Sequence, residues 1–262
     1  MKPWTTKKLR NLKKIGDQKI SMLTCYDFQT AQMLEDSNVD LILVGDSLGN
    51  VILGHDTTVS VTIEDMITFG AAVKRGAPSK FTVIDLPFGT YATKELAIKN
   101  GLKLFQKTKA ESLKLEGISD EITQSIKLLT NAGVPIMGHI GLTPQSVHEQ
   151  GGYFTHGKTT IEEEKILRQA QELEEAGVFA IVLECVTETL AEKIDQTLSI
   201  PTIGIGSGPK TTGQVLVLND LLGLGKNAPP GFCKPVSNLF NEKLKLTNSY
   251  IKSVNQSKEL TQ

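Results

Sequence analysis

The 262-residue chain has no apolar run approaching the roughly 20 residues that a membrane-spanning helix requires. It also lacks the basic-then-apolar order of a secretion signal, since polar residues continue to Lys19. Cysteine is scarce: Cys25, Cys185 and Cys233 are an odd number, and no two form a CxxC pair. Cys25 and Cys185 lie in or beside apolar runs, as small buried thiols do. Excess charge is missing too. Lys and Arg total 28 against 29 Asp and Glu, a formal net charge of −1, so no overall field favours nucleic acid or an anionic membrane. The locally basic "KPWTTKKLRNLKK" reads as a solvated helix face. No linker, low-complexity tract or internal repeat interrupts the chain. These absences lead us to expect a reduced, cytoplasmic protein with one domain over 1–262 and a polar C-terminal tail from about 247 to 262.

Apolar strand-like runs recur instead: "ISMLTCY", "LILVGD", "FTVIDLPF", "SLKLEG", "VPIMGHIG", "FAIVLEC" and "IPTIGIGSG". An eighth, "QVLVLND", is weaker, with helix as its alternative. The runs are nearly continuous rather than alternating, as parallel strands covered on both faces should be. Helix-like segments separate them. In "TIEEEKILRQAQELEEAG", Thr160 and Glu163 suggest a capping box and Gly177 a C-terminal stop. "GLTPQS" suggests Thr143 as a cap with Pro144 at the first helical position. Repeated strand–helix units predict an α/β fold, a (β/α)8 TIM barrel with helical additions at both ends.

Polar residues then fall at the ends of successive runs: Asp46 and Ser47, Asp85, Lys114 and Glu116, His139, and Glu184. In a parallel barrel all strand C-termini share one rim, where active sites lie. Lys114 and Glu116 are two apart, which puts both side chains on one face of a strand. Taken singly, each residue has an ordinary explanation: a helix cap for Asp46 or Asp85, an exposed strand end for Glu116, a simple ion pair for Lys114, a satisfied core histidine for His139. Taken together on one rim, they point to a site. Crowded carboxylates repel, and a divalent cation relieves that repulsion. Asp46, Asp85 and Glu116 offer the hard oxygen ligands that Mg²⁺ prefers. No His/Cys cluster has zinc spacing. Lys114 offsets the remaining negative charge, so an anionic substrate can enter.

Other features carry less. "GIGSG" (Gly204 to Gly208) is not a dinucleotide-binding fingerprint and suits close backbone approach to a ligand. The glycine-rich "HEQGGYFTHGKTT" reads as a mobile loop or lid, with His148 and His156 facing solvent.

The stretches "TCYD", "VGDSLGNVILGHDTT", "RGAPS", "DLPFGTYAT", "KLEG", "GHIGLTPQSV", "GGY", "LEC" and "IPTIGIGSG" together resemble the ketopantoate hydroxymethyltransferase family, over residues 20 to 220. The resemblance implies a Mg²⁺-dependent barrel that moves a hydroxymethyl group from 5,10-methylenetetrahydrofolate to 3-methyl-2-oxobutanoate, the first committed step toward pantothenate. It implies Asp46, Asp85 and Glu116 as metal ligands, and Ser47 and Lys114 as substrate contacts alongside Asp46 and Asp85. Glu184 falls on the family's proton acceptor, and His139 on an active-site histidine. The resemblance further implies a homodecamer built as a pentamer of dimers. It thins toward the C-terminus, where "PPGFCKPVSN" has Gly231 in place of the family's lysine. The rival enzyme is a carbon–carbon lyase of the isocitrate lyase type. That type carries a catalytic cysteine in a Lys-x-Cys-Gly-His loop, which this chain lacks. A non-catalytic barrel is the other alternative, and loss of a metal carboxylate would mark it. All three are present.

Overall fold

The computed structural model describes residues 4–15 and 18–256. The chain forms two compact units, Met1–Val215 and Leu216–Gln262. The first begins with α1 (Thr6–Ile15), β1 (Ile20–Thr24), α2 (Phe28–Asp36), β2 (Leu41–Val44), α3 (Leu48–Val51), α4 (Ile63–Gly76) and β3 (Phe81–Asp85). It continues with α5 (Lys94–Thr108), β4 (Ser112–Glu116), α6 (Asp120–Asn131), β5 (Ile136–Gly141), α7 (Val147–Gln150), α8 (Thr160–Ala176) and β6 (Ala180–Glu184). Then come α9 (Glu188–Thr197), β7 (Thr202–Ile205) and β8 (Gly213–Leu216), with α10 (Leu218–Leu221) and α11 (Leu239–Asn255) following.

The strands close into a barrel in sequence order, β1 to β8, and consecutive strands run parallel. This is the expected (β/α)8 architecture. Strand interiors are continuous because both faces are covered: every residue of β2, β3 and β4 is buried. Alternate side chains point inward, where Met22, Leu41, Leu43, Phe81, Val83, Met137, Phe179, Val182, Ile203 and Val215 fill the lower barrel. Phe81 and Phe179 meet edge-on with ring centroids 5.7 Å apart. The weak eighth run holds both states: its later residues enter α10 (Leu218–Leu221), and its first part is strand β8 (Gly213–Leu216). The strand is short, and Gln214 in its middle is exposed, which is why its pattern is ambiguous.

Three expectations need correction. The basic N-terminal stretch is not only a solvated face: Leu9 is buried in the lower-barrel core, and Trp4 and Leu12 pack against it. Helix α8 starts one residue earlier in its capping frame. Thr159 caps it by accepting from the Glu162 backbone N–H, rather than Thr160 pairing with Glu163. "TTIEEE" permits both frames. The observed one lets Glu162 also accept from the Lys158 N–H and meet His156 Nδ1 at 3.0 Å. Pro144 does open a single 3₁₀ turn, but the Thr143 side chain does not cap it.

Within the second unit, Gly223 takes a positive φ of 62° and lets the chain pass close to the Ser237 carbonyl. Helix α11 continues to Asn255, through most of the stretch read as a polar tail, and residues 257–262 lie outside the described residues.

Candidate active site

Inward-facing alternation along β4 puts Lys114 and Glu116 on the barrel lumen, with Leu113 and Leu115 turned to the helices. Parallel register sets Asp85 beside Lys114 and Glu116 beside His139. Asp46 lies two residues past β2, on the same rim. Its backbone N–H donates to Asp85 Oδ2 at 3.0 Å, so neither aspartate is acting as a helix cap. A Cβ at Gly45 would sit 2.9 Å from Ser47 Oγ, so its absence leaves room for that hydroxyl. All of Asp46, Asp85, Lys114, Glu116 and His139 are at most 4% exposed.

One oxygen from each of Asp46, Asp85 and Glu116 lies within 4.8 Å of the others. Lys114 Nζ sits 3.2 Å from Asp85 Oδ1 and 3.3 Å from Glu116 Oε1. Burial, then the charges of Glu116 and Asp85, push the Asp46 carboxyl well above the usual range, against the pull of Lys114. Burial and Glu116 likewise raise Asp85 despite Lys114. Glu116 goes the other way. Burial opposes its ionisation, but Lys114 and His139 outweigh that and hold it down at about 2. One ammonium is therefore too little positive charge for three buried carboxylates. Asp85 Oδ1 is buried and has no hydrogen-bond partner among the described residues, Lys114 Nζ meeting it as an ion pair at 3.2 Å. A compact set of hard oxygens with unmet charge fits a divalent cation of the Mg²⁺ kind.

His139 on β5 bridges carboxylates on the strands to either side. Its Nδ1 lies 3.2 Å from Glu116 Oε1 and its Nε2 3.3 Å from Glu184 Oε2. Nδ1 also lies 3.1 Å from Lys114 Nζ, and it cannot both accept from the ammonium and donate to the carboxylate. Burial and Lys114 push the imidazolium down, but Glu116 and Glu184 prevail and raise it to about 9. The ring thus stands within ion-pair distance of Glu116 through Nδ1 and of Glu184 through Nε2, and both carboxylates favour its charged form.

Glu184 ends β6 and is less enclosed than the others, its side chain 16% exposed. Its backbone oxygen accepts from the Leu142 N–H at 2.8 Å. Gly141 has φ +93° there, and a Cβ would fall 2.3 Å from that same oxygen. Ser47 is half-buried, its Oγ 2.8 Å from the Tyr26 hydroxyl. Every rim residue expected from the sequence thus lies at this mouth.

Two residues at the mouth carry no sequence signal of their own. Gln145 Nε2 donates to Asp46 Oδ2 at 2.8 Å and to the Leu86 carbonyl at 3.0 Å. Its backbone N–H donates to Glu116 Oε2 at 3.1 Å. The Tyr91 hydroxyl donates to Gln145 Oε1 at 2.6 Å. The available clue was position: "GLTPQS" follows a barrel strand, so Gln145 belongs to the same rim.

His148 is exposed as expected, but His156 is buried. A parallel bridge to Val186, with the His156 N–H donating to the Cys185 carbonyl, draws its loop onto the end of β6. His156 lines a cavity of about 450 Å³ between the end of β5 and α8. No member of the acidic triad borders that cavity, although Gly117 and Ser146 on its wall are chain neighbours of Glu116 and Gln145. Cys25 and Cys185 do lie near the rim. Burial pushes their thiols up to about 12 and about 11, so neither is a reactive thiolate.

A closed parallel barrel with an acidic triad, a lysine and a histidine in its C-terminal mouth is the architecture of a (β/α)8-barrel enzyme. Residues 3–258 match the family model described as ketopantoate hydroxymethyltransferase, and the chain belongs to that family. The protein named 3-methyl-2-oxobutanoate hydroxymethyltransferase from Thermotoga maritima is 48% identical over 248 residues, covering 94% of this chain and 90% of its own. The one of the same name from Legionella pneumophila strain Paris is 46% identical, covering 94% of each chain. Among solved structures, 2,3-dimethylmalate lyase, a member of the PEP mutase/isocitrate lyase superfamily, superposes with a TM-score of 0.61 at 14% identity, covering 96% of this chain and 98% of that one. A phosphonopyruvate hydrolase gives 0.64 at 10% identity, covering 97% and 88%. At such identities the likeness is one of fold alone.

Proposed function

We propose that this protein is a 3-methyl-2-oxobutanoate hydroxymethyltransferase. It transfers a hydroxymethyl group from 5,10-methylenetetrahydrofolate to the 2-oxo acid, with water consumed, giving 2-dehydropantoate and tetrahydrofolate as a step of pantothenate synthesis in the cytoplasm. The observation that carries this reading is the buried triad of Asp46, Asp85 and Glu116, complete in a chain nearly half identical to proteins of that name.

Asp46, Asp85 and Glu116 would hold Mg²⁺, which when bound supplies Lewis acidity to the carboxylate and keto oxygens of the substrate. Lys114, within 3.3 Å of two of these carboxylates, offsets their charge and receives the anionic head of the substrate. Ser47 contributes a hydroxyl at the same end, its direction fixed by Tyr26. Glu184 faces the lumen from β6 and serves as the proton acceptor for the transferred group. His139 holds Glu184 from one side and Glu116 from the other, so it links the proton-handling carboxylate to the metal-binding one. The dominance of carboxylates over neutral donors supports a hard cation rather than zinc.

Tetrahydrofolate and 2-dehydropantoate should form together when the protein is supplied with both substrates and Mg²⁺, and a chelator should stop both. Product formation that is indifferent to the chelator would remove the metal from the reading. No product at all would remove the activity.

A further inference from the structure

Gln145 makes four polar contacts, and they leave its amide no freedom. Both Nε2 hydrogens are used, on Asp46 Oδ2 and the Leu86 carbonyl, while Oε1 receives the Tyr91 hydroxyl. A flipped amide would set its oxygen against a carboxylate and a carbonyl, so the orientation is fixed. Gln145 and Tyr91 are 4% and 8% exposed, so no solvent replaces these partners. Tyr91 is itself braced, its hydroxyl 3.3 Å from both the backbone oxygen and nitrogen of Glu116.

A pattern runs through the triad. Each carboxylate has one oxygen engaged by an N–H: Asp46 Oδ2 by the Gln145 side chain, Glu116 Oε2 by the Gln145 backbone, and Asp85 Oδ2 by the Asp46 backbone. Two of the three locks come from one residue. The second oxygens of Asp85 and Glu116 are those that meet Lys114. The donor is also neutral. A lysine or arginine in this place would pair with the carboxylates and compete with a bound cation, whereas an amide orients them and leaves their charge in place.

We infer that Gln145, braced by Tyr91, is the positioning residue that turns the acidic triad toward its cation. This rests on the metal reading proposed above. Gln145 does not touch the reacting atoms in this scheme; it acts through Asp46 and Glu116.

The test uses the full-length protein and Mg²⁺ alone, titrated by calorimetry into wild type, Gln145→Met, Tyr91→Phe, the double variant and Asp85→Asn, with thermal midpoints alongside. Gln145→Met keeps the volume and removes the amide. It should weaken Mg²⁺ binding by about 10- to 100-fold, the usual effect of removing a partner that orients metal ligands. The lost turnover should return at high Mg²⁺, which a purely structural defect would not allow. Tyr91→Phe should shift affinity in the same direction by less, and the double variant should be little worse than Gln145→Met. A folded Gln145→Met that binds Mg²⁺ like wild type, while Asp85→Asn does not, overturns this inference alone. If Gln145→Met fails to fold, Tyr91→Phe decides, and unchanged Mg²⁺ affinity there overturns it. Wild-type protein that binds no Mg²⁺ overturns the metal reading and this inference with it.

Discussion

Glu184 and Asp85 are both carboxylates at strand ends, yet their surroundings give them different work. Asp85 is enclosed with Asp46, Glu116 and Lys114. Glu184 is more open, and among the described residues its ion-pair partner is His139, 3.3 Å away. Glu184→Gln should therefore cost roughly 10²- to 10⁴-fold in turnover, the range of a positioned acid–base group. Binding of Mg²⁺ and of 3-methyl-2-oxobutanoate should change by less than about tenfold, about 1.4 kcal/mol. Calorimetry with each ligand beside the folate-coupled rate measures both. Collapse of metal binding along with the rate would make Glu184 a ligand instead. The carboxylates, Lys114 and His139 were legible because strand ends recur in the sequence and a barrel gathers them on one rim. Gln145 and Tyr91 were not, since both lie in loops with no period. His156 was misread because glycines flank it, and its burial comes from a bridge to Val186, thirty positions on.

At the scale of elements, the end of the barrel opposite the site is fastened through Asp195 of α9. Its carboxylate meets Lys13 of α1 at 2.6 Å and accepts from the Thr212 backbone and hydroxyl just before β8, and from Thr202 at the start of β7. Burial alone would raise this carboxyl, but Lys13 and the threonine donors prevail and lower it. A carboxyl whose folded value lies below its unfolded one, about 3.9, stabilises the fold above that pH and loses the effect as pH falls through the folded value. Asp195→Asn should cost about 1–3 kcal/mol near neutrality by leaving Lys13 and a buried donor poorly matched. The gap between wild type and variant should close in acid. Urea unfolding at fixed protein concentration across pH measures it, and a gap independent of pH would show that charge is irrelevant there. Strand existence was readable from apolar runs, whereas β8 was faint because it is only four residues long and one of them faces water. The cap of α8 slipped by one because adjacent threonines and glutamates offer two equivalent frames.

For the whole molecule, family membership and barrel closure agree with the pattern of runs and polar ends that the chain displays from residue 20 to 220. No helix among the described residues is long and apolar enough to cross a membrane. The assembly we propose is a decamer, a pentamer of dimers, and a formal net charge of −1 sets up little repulsion between copies. Light scattering at micromolar concentration should give about ten times the 28.5 kDa chain mass. A monomer across that range would reject the assembly and leave the site untouched.

The central claim is that the buried triad, charged with Mg²⁺, acts on a 2-oxo acid beside its keto group. Proton NMR of 3-methyl-2-oxobutanoate in D₂O tests it without folate. The C3–H signal should disappear at a rate proportional to protein, and the exchange should stop on chelation and return with added Mg²⁺. Exchange no faster than in buffer, or undiminished by the chelator, would contradict the claim.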